Sequence, residues 1–116
     1  MTATGSNQVN LFECAGRLLD VATAIQIYRF SKPELTPGER SDLESWENIF
    51  RSKALEIGKD VSETILASLQ DKIKEIQEST KKVKQALKNL KKVQEVIQAL
   101  TEVFQFVNGV IQVLKP

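Results

Sequence analysis

The residue types that most often perform chemistry are scarce in this chain. It has no histidine, which removes the usual general base near neutral pH and the commonest metal ligand. Cys14 is the only cysteine, so neither an internal disulfide nor a cysteine-based metal site can form. Every Asp and Glu has a solvated helix face as its simplest environment. We therefore expect no enzyme activity, no cofactor and no metal site, and we interpret Cys14 as a small buried hydrophobic residue.

The charges of the chain nearly balance. Sixteen Lys and Arg residues face 15 Asp and Glu residues, a net charge of +1, which argues against a general nucleic-acid binder. With 41% hydrophobic and 27% charged residues among 116, the composition is that of one globular domain with one core. The first ten residues are polar and lack a basic segment, so we expect no signal peptide and a cytoplasmic location.

Lysines cluster in one stretch of the chain. Between residues 72 and 92 there are eight lysines and only two glutamates, Glu75 and Glu78. The candidate basic flank consists of Lys74, Lys81, Lys84, Lys88 and Lys91. Such a flank could face anionic lipid, nucleic acid or an acidic partner. Nucleic acid is disfavoured because no arginine or aromatic residue lies among the lysines. The simplest interpretation is a solvated face that partly pairs with the acidic second helix.

The C-terminal segment, residues 96–114, is the most apolar part of the chain. Twelve of its nineteen residues are apolar and Glu102 is its only charge, so it should be buried on more than one side. Polar residues interrupt it too often for a convincing transmembrane span. It could be covered by the rest of its own chain, by a second chain or, after a rearrangement, by a bilayer. The candidate interface residues are Leu100, Val103, Phe104, Phe106, Val107, Val110, Ile111 and Leu114.

The elements that would position these residues are helices. Apolar residues recur at steps of three and four nearly everywhere, which predicts helices at about residues 7–30, 37–78 and 80–114, with a loop at 31–36. Asn10 is the expected N-cap of the first helix, and Thr36 opens a capping box with Glu39. In the first helix Phe12, Leu19 and Ile27 widen the apolar stripe. Arg29 can favour its C-terminal carbonyls, and Trp46 is expected in the core.

Residues 37–114 leave two arrangements open. The heptad that begins at Leu69 slips by one three-residue step at Leu90, which we interpret as a stammer. A turn near Ser79-Thr80 would give an antiparallel hairpin, and its absence would give a rod of roughly 75 residues, about 110 Å long. Residues 1–71 hold seven basic and eleven acidic residues, net −4, whereas residues 72–116 hold nine and four, net +5. This asymmetry favours antiparallel packing.

The sequence thus predicts an all-α protein of three helices, a long antiparallel hairpin or coiled coil with a shorter N-terminal helix packed on it. We expect a non-enzymatic interaction module that associates with itself or with another helical protein through coiled-coil-like packing. One alternative is a membrane-active protein whose C-terminal helix inserts into or lies on a bilayer. Another is a small adaptor or inhibitor that caps the helices of a partner.

Overall fold

Four helices, not three, account for the helical periodicity of the chain. A computed structural model describes residues 10–89 and 92–114. It contains α1 (Leu11–Ser31), α2 (Pro37–Ile57), α3 (Glu63–Lys88) and α4 (Val93–Leu114). Helix and short connections make up the described ranges, with no strand, so the predicted all-helical class is confirmed. The predicted count of three is wrong because the second predicted helix is two helices.

The unforeseen break follows Ile57. There Gly58 adopts φ −75° and ψ 69°, and the amide of Lys59 donates to the carbonyl oxygen of Ile57 at 2.8 Å. This is an inverse γ-turn, which redirects the chain without a proline. The hydroxyl of Ser62 then accepts from the amide of Ile65 at 3.3 Å and caps the start of α3. A lone glycine inside a helical pattern therefore marked a helix end.

The turn predicted at Ser79-Thr80 is wrong. Both residues lie inside α3 and are buried, and their hydroxyls donate to the carbonyl oxygens of Ile76 and Gln77 at 3.1 and 2.9 Å. Hydroxyls bonded in this way are satisfied within the helix and need no turn. The chain turns instead between Lys88 and Val93, where the heptad slips. Residues 90 and 91 of that turn lie outside the described part of the chain.

The expected N-terminal caps, Asn10 and Thr36 with Glu39, are present in the structure. The side chain of Asn10 accepts from the amide of Glu13 at 2.8 Å, so α1 begins at Leu11. Residues 7–9 of the predicted first helix lie outside the described ranges. The hydroxyl of Thr36 accepts from the amide of Glu39 at 3.1 Å, and the Glu39 carboxylate accepts from the amide of Thr36 at 2.9 Å. This reciprocal pair fixes the start of α2.

The helices form a bundle with one diagonal connection. Helix α1 packs against α2 and α3, and α4 packs against α3 and α2. The C-terminal turns of α1 and α3 line one groove, so these two helices run in the same direction. Residues 58–62 must therefore cross one end of the bundle to the opposite corner. The fully buried core includes Leu18, Ile25, Leu43, Phe50, Ile57, Leu69, Ile73, Ile76 and Leu100.

Candidate functional site: the outer face of α1 and its basic edge

Most of the interface residues predicted on the C-terminal helix lie in the core of the chain itself. Five are buried between α4 and its neighbours: Leu100, Val103, Val107, Val110 and Ile111. The other three, Phe104, Phe106 and Leu114, are half-buried and pack against that core. Burial by α2 and α3 satisfies the expectation that this helix is covered on more than one side. A contact of these residues with another chain stays a prediction.

An aromatic cluster joins α2 to α4. The ring of Trp46 meets the rings of Phe50 and Phe104 edge-on, each at a centroid distance of 5.8 Å. The ammonium of Lys53 lies 5.6 Å from the centre of the Phe104 ring and covers its outer side. Trp46 packs against the core at half-burial. This packing accounts for a tryptophan at position 46 without a bound ligand.

A buried ion pair links α1 to α2. Arg29 donates from Nε to Glu47 Oε2 at 2.8 Å and from Nη2 to Glu47 Oε1 at 3.3 Å. Glu47 is only 2% exposed, which corrects the expectation that every carboxylate is solvated. This hydrogen bond raises the pKa of the Arg29 guanidinium above its ordinary value. The Arg29 side chain is thus directed to Glu47. Arg40 of α2 donates at 3.0 Å each to the carbonyl oxygens of Arg29, in the last turn of α1, and of Lys32, which follows the helix.

The candidate basic flank is a solvent-exposed stripe on α3. Lys74, Lys81, Lys84 and Lys88 are all exposed, and Lys91 lies outside the described residues. Within the described ranges these four lysines form no salt bridge. The predicted partial pairing with acidic α2 is absent there because α2 occupies the diagonal corner of the bundle from α3. The stripe is therefore free to attract anions.

Helix α1 carries a second apolar face that the core does not use. We call it the outer seam, and it consists of Phe12, Gly16, Leu19, Thr23, Ile27 and Phe30. Its four large side chains, Phe12, Leu19, Ile27 and Phe30, are 56%, 46%, 61% and 69% exposed. The residues follow one another at steps of three and four, so they line one side of the helix. None of them is charged.

The outer seam does not stand out in the sequence, because Phe12, Leu19 and Ile27 extend the core-facing apolar stripe of the first helix without a break. The available signal was the width of that stripe. Residues of the core face and of the seam together surround most of the helix, and a helix that is apolar nearly all round is covered on more than one side. Within the described ranges the helices packed against α1 are α2 and α3, and the outer seam remains exposed.

An open groove of about 530 Å³ lies between the C-terminal turns of α1 and α3. Its lining comprises Ala24, Ile27, Tyr28 and Ser31 from α1 and Lys84, Gln85, Leu87 and Lys88 from α3. Ile27 belongs to the groove and to the outer seam, so the two surfaces are continuous. The groove joins an apolar wall to two lysines of the basic flank.

Cys14 and the carboxylates are the remaining candidates for chemistry. Cys14 is fully buried, and this burial raises the pKa of its thiol to about 11, against a smaller opposing effect of the Arg17 charge. A thiol held protonated in this way is a poor nucleophile at neutral pH. Among the residues that the structure describes, no three His, Cys, Asp or Glu side chains are grouped as metal ligands would be.

One helix meets the length and hydropathy expected of a membrane span. Helix α4 has 22 residues and a mean hydropathy of 1.3 in its most apolar window, one third of which is buried in the bundle. Core helices of soluble proteins meet the same criterion, so α4 on its own is weak support for a membrane role.

Comparison of the chain with models of known protein families, with curated proteins and with solved structures finds no match. Its function is therefore argued from its own surfaces.

Proposed function

We propose that this protein is a non-enzymatic helical interaction module that associates with itself through the outer seam of α1. The observation that carries the proposal is the exposure of the seam. Its four large apolar side chains are each between 46% and 69% exposed, although the same helix already buries a complete core face. A hydrophobic face beyond the one needed for folding typically marks a contact with another chain.

The size of the seam suits a helix-to-helix contact. From Phe12 to Phe30 it runs about 27 Å at 1.5 Å per residue. Its exposed apolar side chains present roughly 400 Å², given about 150–250 Å² for each large aromatic residue. A patch of this size is at the scale of functional patches on monomeric proteins. Two such faces against each other would form the core of a small dimer interface.

A second copy of the chain is the occupant that the seam itself favours. Phe12 and Phe30 lie at its two ends, and Leu19 and Thr23 lie at its centre, so the seam is nearly symmetric about residue 21. In an antiparallel pair about a twofold axis, this spacing places Phe12 of each copy opposite Phe30 of the other, and the same patch of both copies forms the contact. Its steps of three and four residues would give coiled-coil-like packing between the two α1 helices.

The proposal retains the self-association expected from the sequence and changes its location. The C-terminal helix contributes most of its large side chains to the core of its own bundle, whereas α1 leaves Phe12 and Phe30 more than half exposed. A heterologous helix of the same apolar pattern could occupy the seam in an adaptor. The twofold symmetry of the seam favours a second copy.

A matched pair of substitutions tests the proposal. Leu19→Glu places a charge at the centre of the seam, and Val113→Glu places the same charge at an equally exposed site on α4; both side chains are 46% exposed. Light scattering on a sizing column should show that Leu19→Glu is monomeric and that Val113→Glu keeps the mass of the unaltered protein. Equal masses for the two variants and the unaltered protein would reject the seam as the interface. Circular dichroism serves as the control and should show that both variants remain helical.

A membrane-active role is the second candidate, and the hydropathy of α4 is the observation that favours it. Inserting α4 would require the bundle to open, because its valines and leucines form the core. Flotation with vesicles rich in anionic lipid separates the two functions. An interaction module stays in the soluble fraction, and a membrane-active protein floats with the vesicles.

A further inference from the structure

We propose that the second copy packs its α1 antiparallel to the first, with its Glu13 beside Lys84 and Lys88 at the edge of the groove. This inference rests on the proposed self-association and specifies its direction and ion pairs. It also gives the basic flank a role, since two of its lysines would bind the other copy.

The acidic side of the proposed contact is on the flank of the seam. Glu13, Asp20 and Ile27 follow one another at steps of seven, so they share one flank of α1. Ile27 lines the groove, which identifies this flank as the one that faces α3. Glu13 is exposed, and its carboxylate forms no salt bridge with the described residues.

The basic side lies at the opposite end of the same flank. Lys84 and Lys88 line the groove together with Ile27 and Ser31, near the C-terminus of α1. Glu13 lies in the first turn of that helix. One chain therefore carries a carboxylate at one end of its seam and two ammonium groups at the other end, about 25 Å apart along the helix.

Only an antiparallel arrangement brings these opposite charges together. A twofold axis near residue 21 places Glu13 of the second copy at the level of residue 29, between Ile27 and Ser31, where the two lysines lie. In a parallel arrangement the twofold axis would run along the helices, so the two acidic flanks would lie on opposite sides of the contact and each Glu13 would stay at the far end from the lysines of both copies. Opposite charges that meet across an interface favour association, so charge complementarity selects the antiparallel pair.

The shape of the seam supports the same register. Around the axis, Phe12 lies opposite Phe30 of the second copy, and Gly16 lies opposite the turn that contains Gln26 and Ile27. A Cβ built on Gly16 would meet no heavy atom within 4 Å, so this position is an open notch. A glycine notch can receive the larger side chain of the facing helix, as knobs-into-holes packing requires.

The axis also brings two equal charges together. Asp20 lies one residue from the centre of symmetry and is exposed, so the two Asp20 carboxylates of a dimer would approach each other. Their repulsion should weaken the dimer. Removing it with Asp20→Asn should therefore tighten association. A parallel twofold would place the two Asp20 carboxylates on opposite sides of the contact, so tighter association of Asp20→Asn supports the antiparallel direction, which the charge exchange below tests independently.

A charge exchange tests the direction of packing. Dissociation constants are measured by sedimentation equilibrium for Glu13→Lys, for Lys84→Glu with Lys88→Glu, and for the triple variant. We expect each partial exchange to weaken association about tenfold, because favourable pairs become repulsive at two symmetric sites. The triple variant restores opposite charges and should return to within about threefold of the unaltered protein on the same reasoning. The control is Lys72→Glu, since Lys72 lies near Gly109 of α4, away from the groove.

Three outcomes separate this inference from the proposed function. Weakening by the partial exchanges with recovery in the triple variant supports the antiparallel pair. If Leu19→Glu disrupts the dimer but no charge exchange changes its dissociation constant, the proposed function is retained and the antiparallel ion pairs are overturned. A protein that stays monomeric at every concentration overturns both.

Discussion

The guanidinium of Arg29 on α1 donates two hydrogen bonds to the buried carboxylate of Glu47 on α2, and the shorter of them is 2.8 Å long. The Glu47 side chain is 2% exposed and that of Arg29 is 14% exposed. Two further charges lie close, Glu44 at 3.7 Å from Arg29 and Arg51 at 3.8 Å from Glu47. Bidentate geometry orients the two helices as well as neutralising the charge. The pair therefore fixes how α1, which bears the outer seam, sits on the bundle.

Arg29→Met should lower the free energy of unfolding by about 3 kcal/mol, because it leaves the buried Glu47 carboxylate without its two hydrogen bonds and with only the more exposed Arg51, at 3.8 Å, as a partner. Adding Glu47→Leu should recover most of that loss, since an apolar pair of similar volume needs no desolvation of charge. Urea denaturation measures both. The control is Lys53→Met, which breaks the more exposed Lys53–Glu56 pair and should cost less than about 1 kcal/mol. Equal losses in Arg29→Met and Lys53→Met would contradict a structural role for the buried pair.

Replacing Gly58 and Gly16 by alanine should change the free energy of unfolding in opposite directions. A Cβ on Gly58 would lie 3.1 Å from the carbonyl oxygen of Ala54 and 3.4 Å from Cβ of Ala15, so in Gly58→Ala the last turn of α2 must shift by a few tenths of an ångström. We expect a loss of about 1 kcal/mol from such crowding. Gly16→Ala, in an open helical position, should raise the free energy of unfolding by about 0.5–1 kcal/mol. Thermal unfolding of both variants under dilute conditions checks the prediction, which fails if their signs agree.

Stability should fall as the pH rises above 9 because of Cys14. Its thiol has a pKa of about 11 in the folded protein and an ordinary value of 9.0 when unfolded. The unfolded chain therefore releases this proton first, and the stabilisation that is complete below pH 9 is lost progressively toward pH 11. At pH 10 the loss should approach about 1 kcal/mol, from 1.36 kcal/mol per pKa unit.

The matched control for this pH dependence is Cys14→Ala. Lysine and tyrosine titrate in the same range in both proteins, so only the difference between the two stability curves reports the thiol. That difference should change mainly between pH 9 and pH 11. Parallel curves over this range would refute the assignment. The buried thiol should also resist alkylation at pH 7 until the protein is unfolded.

The contact between Trp46 and Phe104 should have a measurable coupling energy. Edge-on aromatic pairs contribute about 0.5–1.5 kcal/mol beyond the area they bury. A double-mutant cycle of Trp46→Leu and Phe104→Leu, measured by urea denaturation, should return a value in this range. A second cycle provides the control. It combines Trp46→Leu with Val113→Ala, which lies on α4 like Phe104, and it should return no coupling energy. A zero coupling for the aromatic pair would show that the rings pack independently.

The helical class and the helix starts could be read from the sequence because they depend on local chemistry. Asn10 and Thr36 accept hydrogen bonds from amides only three residues away, and such bonds need no knowledge of the rest of the fold. The covered character of the C-terminal helix was also visible, since a single charge among residues 96–114 leaves little to face water.

The helix ends were harder to read because they depend on tertiary packing. Gly58 has an ordinary negative φ, and the neighbours that a Cβ would meet there, the carbonyl oxygen of Ala54 at 3.1 Å and Cβ of Ala15 at 3.4 Å, are known only from the folded structure. Ser79 and Thr80 resembled a turn because their hydroxyls often favour one, yet burial in α3 directs both hydroxyls to helical carbonyls. Glu47 likewise resembles a solvated carboxylate in the sequence, because its partner Arg29 lies on another helix.

The outer seam could not be located from the sequence for a related reason. Periodicity shows that a residue is on an apolar side of a helix but not which neighbour covers that side. Leu18 and Leu19 are adjacent leucines of the same helix, and one is fully buried while the other is 46% exposed. The distinction arises from the positions of α2 and α3 around α1, which depend on where the chain turns.

The most direct test of the central claim is the mass of the unaltered protein by sedimentation velocity across a concentration series from below micromolar to about 100 micromolar. Self-association through α1 predicts that the 13.0 kDa chain shifts to a species of twice that mass as the concentration rises, and that Leu19→Glu removes this shift. A species of 13.0 kDa at every concentration would contradict the account. The exposed seam would then need another explanation.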